Sequence, residues 1–135
     1  MKDTLQPGAT ASTDVTVDRD RTIGFMGDEG RVYATPAMIA DIENLCRDLL
    51  LKHADEGEDS VGTRVEIDHL AATPEGFVVG LTATVTKVEG RMVTFAVEGA
   101  DPYDTITRGF HTRFVVNVAK TLERLAQKTA KAKTA

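Results

Sequence analysis

The sequence predicts an α+β domain in which one long helix lies across the concave face of an antiparallel β-sheet. Three observations lead there. Apolar residues recur at helical spacing over one long stretch, from Met38 through Ile42 and Leu45 to Leu49. Beyond residue 60 the pattern changes to alternation, with Val79, Leu81, Ala83 and Val85 on one parity. The 135 residues suffice for a single domain with one core. A lone helix cannot cover both faces of such a sheet, so it is expected on one of them.

Residues 1 to 12 carry Gly, Pro, Thr and Ser, and are expected to form a flexible arm ahead of one domain over 13 to 128. Val15 and Val17 alternate with Thr16 and Asp18, a short strand signal. Asp18 to Gly30 is charged and glycine-bearing, with Ile23, Phe25 and Met26 as apolar anchors; it reads as a loop or lid. Thr35 suits a helix N-cap and Pro36 the first helical position, where its missing N–H leaves nothing unpaired. The helix is predicted to reach about His53, with a loop over Ala54 to Ser60. Thr63 to Ala72 then alternates, with Val65, Ile67 and His69 on one face and Arg64, Glu66 and Asp68 on the other.

Thr73-Pro74-Glu75-Gly76 is a turn, and Phe77 to Val85 predicts a long half-buried strand. Glu89-Gly90 marks a compact hairpin into a strand carrying Val93, Phe95 and Val97. The last strand is expected over Ile106 to Val118, with Phe110, Phe114, Val116 and Val118 as its apolar parity. A short helix from Ala119 to about Lys128 follows, and 129 to 135 is expected to be a flexible basic tail. The strands after the long helix are expected to succeed one another as a meander.

Composition narrows the function. At 41% hydrophobic and 27% charged residues, the chain is ordinary for a globular protein. No apolar run approaches the roughly 20 residues of a membrane span. Met1 to Thr13 lacks the apolar segment of a secretory signal, so a cytoplasmic location is expected. Cys46, the sole cysteine, excludes an internal disulfide, and between Leu45 and Leu49 it is expected to pack rather than react. A net charge of −5 argues against nucleic acid, whose binders carry a basic patch with interleaved aromatics. Here the basic cluster is Lys128, Lys131 and Lys133, set among Ala and Thr. No metal is expected, since the three histidines are far apart and the cysteine stands alone. Neither a phosphate-cradling glycine motif nor a G-x-S-x-G elbow occurs.

Three positions do not fit a purely structural pattern. Glu43 falls on the helical line Ile39, Glu43, Cys46, Leu50, where a carboxylate must reach water at the edge of the apolar sector or be held in a cavity. His69 shares the inward parity of Val65 and Ile67, as a core histidine or as half of a pocket facing Glu43. Thr35 before Pro36 is a capping signature, yet a helix start also offers free N–H groups to a carbonyl or oxyanion. Arg113 and His111 take the parity opposite to Phe110 and Phe114, either as a solvated polar face or as a positive group that holds a ligand. Gly62 would allow close approach to the backbone.

Val32-Tyr33-Ala34-Thr35, with Glu43 and Cys46 on the helix, begins a wider pattern. It continues in Val61-Gly62-Thr63 and His69-Leu70-Ala71-Ala72-Thr73-Pro74-Glu75-Gly76, then in Val88-Glu89-Gly90-Arg91 and Gly109-Phe110-His111-Thr112-Arg113. Over Arg31 to Lys128 the chain resembles the fluoroacetyl-CoA thioesterase family of hotdog-fold proteins. The resemblance implies a hotdog fold, with a long central helix wrapped by the antiparallel sheet. It implies a homodimer with active sites at the subunit interface, Thr35, Glu43 and His69 as catalytic residues, and Gly62 and Arg113 as substrate contacts. The implied reaction is hydrolysis of a short-chain acyl-CoA to free acid and CoA. CoA enters as part of the substrate, and no separate cofactor is implied. Glu43 would attack the thioester carbonyl or activate water, and His69 would orient that step and protonate the leaving thiolate.

One segment departs from the family pattern. The fluoroacetyl-specific member carries phenylalanines as a lid just before the Ala-Thr, whereas Phe25 to Gly30 here is shorter and glycine-bearing. That departure bears on fluorine selectivity and leaves the acyl group open. Two other readings compete: hydration or dehydration of an acyl thioester, and a non-catalytic acyl-CoA-binding module in which Glu43 is structural.

Overall fold

The computed structural model describes Met1–Thr134. In chain order the elements are β1 (Thr10–Thr16), β2 (Thr22–Ile23), β3 (Val32–Tyr33), α1 (Thr35–Leu51), β4 (Glu58–His69), β5 (Val78–Glu89), β6 (Met92–Ala100), β7 (Thr105–Asn117) and α2 (Val118–Thr134). Five strands form one antiparallel sheet in the order β1-β5-β6-β7-β4, and β2 pairs with β3 as a separate ribbon.

The long helix lies on one face of this sheet, as expected. It buries Met38, Ile42, Leu45, Cys46, Leu49 and Leu50. The facing sheet residues are the alternating sets Val79, Leu81, Ala83, Val85 and Val93, Phe95, Val97, all in the core. Burial of each such side chain contributes about 1.5–3 kcal/mol, and this sets which face of the sheet turns inward.

The strands are not a simple meander. β5, β6 and β7 follow one another, but β4 pairs with β7 on its far side, so β4 and β1 form the two edges. Residues 70–77 cross from one edge toward the other beneath the start of α1. They are held there by the Tyr33 N–H donating to the Thr73 carbonyl (2.8 Å) and the Gly76 N–H to the Val17 carbonyl (2.7 Å).

Both chain ends differ from expectation. The first twelve residues are tied down: Leu5 lies in the core, the Gly8 N–H donates to the Val85 carbonyl, and Thr10 to Ser12 belong to β1. Leu5 is joined by Met1, Ala9 and Ala11 packed against the core, and the Met1 ammonium pairs with Asp55 at 2.7 Å and with Glu58 at 2.5 Å, so several contacts together order this segment. At the other end α2 continues to Thr134 through the expected basic tail, and Ala135 lies outside the described residues. Ala, Lys, Glu and Arg favour helix, and the Asn117 side chain caps its start by accepting from the Lys120 N–H at 3.0 Å. No residue of α2 is buried. Among the described residues no helix is long and apolar enough to cross a membrane.

The parity of β7 also runs opposite to the apolar pattern. Phe110 and Phe114 are exposed, whereas His111 and Arg113 are buried beneath α1. Register explains this. His111 stands opposite Phe95 and Arg113 opposite Val93, and directly opposed residues share a face of the sheet.

Candidate active site

Two clusters of polar side chains lie where α1 runs beside β4. The first is centred on Glu43, whose line along the helix places it between Ile39 and Cys46, with its side chain 39% exposed. Its Oε1 lies 3.9 Å from Nε2 of the fully buried His111. Gly62 makes room for it, since a Cβ at that position would stand 2.5 Å from Oε1 and 3.1 Å from His111 Cε1. Arg113 backs the cluster. Its Nε donates to Ser60 Oγ at 2.7 Å, one terminal nitrogen to the Ser60 carbonyl at 2.9 Å, and the other to His111 Nε2 at 3.1 Å. Burial lowers both His111 and Arg113 from their ordinary pKa values; the Glu43 carboxylate opposes this shift in each.

The second cluster is formed at the start of α1 and the end of β4. Ala34, not Thr35, is the capping residue; Thr35 is the first residue of the helix and makes no cap hydrogen bond. Its hydroxyl instead lies 2.7 Å from His69 Nδ1. Among the described residues, His69 Nε2 is the one buried side-chain polar atom left without a hydrogen bond. Burial lowers the His69 pKa, and the Ala71 backbone partly opposes that shift. Thr35 and His69 line a cleft of about 460 Å³ together with Ile23, Phe25, Tyr33 and Leu70. The segment entering α1 is pinned by Tyr33, whose hydroxyl donates to Asp41, and by Arg21, whose Nε donates to Asp41 at 2.9 Å.

The structure thus brings Thr35 to His69, and Glu43 to Gly62 and Arg113. Within one subunit it does not bring Glu43 to His69. Thr35 and Glu43 are eight residues apart on α1, which at the helical rise is about 12 Å along the axis. Glu43 does not line the His69 cleft.

The profile of the fluoroacetyl-CoA-specific thioesterases matches residues 17–119. The chain belongs to the fluoroacetyl-CoA-specific thioesterase family. It is similar to the fluoroacetyl-CoA thioesterase of Streptantibioticus cattleyicolor, with 32% identity over 96% of this chain and 98% of the relative. A solved fluoroacetyl-CoA thioesterase structure superposes with a TM-score of 0.84 at 30% identity, over 92% of this chain and 97% of that one. A thioesterase superfamily member from Thermus thermophilus reaches 0.88 at 27% identity, over 97% and 98% of the two chains. The hotdog architecture is therefore that of this thioesterase family, with α1 as the central helix.

In this family member the sequence pattern singled out Thr35, Glu43, His69, Gly62 and Arg113 as candidates, left His111 undecided and missed Ser60. Ser60 fell in an expected loop, although it is the first acceptor for Arg113. His111 was open between a polar face and a ligand contact; its position opposite Phe95 is the signal that settles its burial. The Cys46 thiol is pushed up to about 12 by burial and is thereby kept protonated. Phe25 is 83% exposed and lines the His69 cleft. Among the described residues no group of three His, Cys, Asp or Glu is placed to hold a metal ion.

Proposed function

We propose that the protein hydrolyses a short-chain acyl-CoA to the free acid and CoA, as a cytoplasmic homodimer whose active sites span the subunit interface. Membership of the fluoroacetyl-CoA-specific thioesterase family supports thioester hydrolysis. The observation that carries the reading is the orphaned Nε2 of His69, on a ring held by Thr35 in the wall of a cleft. Buried polar atoms are nearly always paired in native proteins, so an unpaired one on a cleft residue calls for a ligand.

The dimer draws support from the free edge of β4, a ready template for a second copy. Antiparallel pairing of two β4 strands about Val65 sets Arg64 against the partner subunit's Glu66. It also carries His69 toward the partner subunit's Gly62, beside which the partner's Glu43 stands. One site then holds Thr35 and His69 from one subunit and Glu43, Gly62 and Arg113 from the other.

In the reaction, an oxygen adds to the thioester carbonyl carbon and the C–S bond breaks. Glu43 either supplies that oxygen itself, with water later cleaving the anhydride, or takes the proton of the attacking water. With the Thr35 hydroxyl donating to Nδ1, the neutral His69 carries its proton on Nε2 and delivers it to the departing CoA sulfur. Oxygen-18 water in a single turnover separates the two routes, since label reaching Glu43 requires direct attack.

The test is a panel of acetyl-, fluoroacetyl-, propionyl-, butyryl- and crotonyl-CoA read by thiol release, with Glu43→Gln as control. Thiol release by the unaltered protein, lower by about 100-fold or more in the variant, is expected. Loss of enoyl absorbance without thiol points to hydration instead, and binding without turnover across the panel points to a binding module.

A further inference from the structure

We infer that His111 is a positioning residue, locked as the Nδ1–H tautomer so that its Nε2 lone pair holds Arg113 away from the carboxylate of Glu43. The inference rests on the hydrolytic reading above, in which that carboxylate must be free to act.

The tautomer follows from the partners. His111 Nδ1 lies 2.9 Å from the Arg64 carbonyl, which can only accept, so Nδ1 carries the proton. Nε2 lies 3.1 Å from a terminal nitrogen of Arg113, which can only donate, so Nε2 carries the lone pair. One obligate acceptor and one obligate donor therefore agree on a single neutral form of the ring. The ring is fully buried and stacked on Phe95, with centroids 6.4 Å apart at 24°.

The charged groups around it explain what the lock does. Glu43 faces the ring from α1, Arg113 from β7 itself, and β4 contributes the Arg64 backbone carbonyl rather than its charge. Cys46 on α1 is a neutral thiol. Arg113 is held by three neutral acceptors: Ser60 Oγ, the Ser60 carbonyl and His111 Nε2. No ion pair joins it to Glu43 among the described residues. A buried guanidinium beside a carboxylate ordinarily closes onto it in a charge-assisted pair. The His111 lone pair takes one of the two N–H groups on the terminal nitrogen that Ser60 does not hold, and so fixes where that nitrogen sits. Because Nε2 bears no proton, His111 also donates nothing to Glu43. The carboxylate thus stands beside a positive charge yet keeps its lone pairs.

The test compares His111→Phe, His111→Gln and His111→Asn with the unaltered protein. Phe keeps the ring and its stacking but offers no lone pair; Gln restores an acceptor near the Nε2 position; Asn can reach only the Arg64 carbonyl. The expected result is a kcat reduced at least about tenfold in the Phe and Asn variants, with KM little changed, and recovery in the Gln variant. A Phe variant with kcat within about twofold of the unaltered protein overturns the inference. Should the Phe variant fail to fold, equal rates for Gln and Asn overturn it. Imidazole 15N NMR of the ligand-free protein at neutral pH supplies a readout independent of activity. A protonated Nδ1 with a bare Nε2 is expected, and a proton on Nε2 overturns the lock. Absence of thiol release from the unaltered protein would defeat the hydrolytic reading while the NMR result still judges the tautomer.

Discussion

If the active site is shared between subunits, two inactive variants should restore activity when mixed. A base and an acid acting on one thioester must each come within about 3–3.5 Å of the reacting atoms. Glu43 and Thr35, the anchor of His69, lie eight residues apart on one helix, about 12 Å along its axis, and on the shared-site reading each subunit supplies one of the two groups. A Glu43→Gln homodimer then lacks the acid at both sites, and a His69→Ala homodimer lacks the imidazole at both. In a heterodimer one site collects both defects and the other collects neither. Random reassociation of equal amounts makes half the dimers mixed, each with one intact site of two, so about a quarter of the activity should return. Coexpression with two affinity tags and tandem purification isolates the heterodimer, whose thiol release should reach about half that of the unaltered protein. A purified heterodimer no more active than its parents would refute the shared site.

Other perturbations probe the same geometry. Gly62→Ala should fold, because its Cβ makes its closest approach, 2.5 Å, to the flexible end of Glu43, while Cε1 of the buried His111, at 3.1 Å, need give by only a few tenths of an ångström. Displacing that carboxylate should nevertheless lower kcat about tenfold or more, measured by thiol release. Cys46→Ala should keep kcat within about twofold while destabilising by about 1 kcal/mol in urea unfolding. The native thiol should resist iodoacetamide, since burial pushes it up to about 12. Folding stability should fall as pH drops through the ordinary histidine value of 6.5, because burial lowers His69 and His111 in the native state and the unfolded chain then binds more protons. Thermal midpoints between pH 7.5 and 5.5 check this, and His111→Gln should flatten the slope.

What the sequence made legible was local. The stripe of α1 and the parities of β5 and β6 depend on neighbours within a few residues, and all three buried the expected faces. Glu43 stood out as an acid interrupting an apolar line, and His69 by its parity in an alternating run. The rest depended on partners far along the chain. Thr35 read as a cap, yet its hydroxyl is taken by His69, 34 residues away. Phe110 and Phe114 read as the core side of β7, but register against β6 turned His111 and Arg113 inward in their place. No periodicity within β7 could reveal that, because alternation fixes which residues share a face and not which face is covered.

The fold and the site meet at one irregularity in β4. Gly62 must face α1 to admit the Glu43 carboxylate, and His69 must face the same side to meet Thr35. One number is even and the other odd, so a regular strand of period two could present only one of them. The register shift between Gly62 and Arg64 resolves the conflict, inserting Thr63 without a partner on β7. Before it, Ser60 and Gly62 point toward the helix; after it, Ile67 and His69 do. The residue after the insertion, Arg64, also provides the carbonyl that orients His111. A single extra residue therefore sets the facing of the imidazole, the room for the carboxylate and the tautomer of the ring behind it. On the proposed function, the bulge therefore serves the chemistry as much as the sheet.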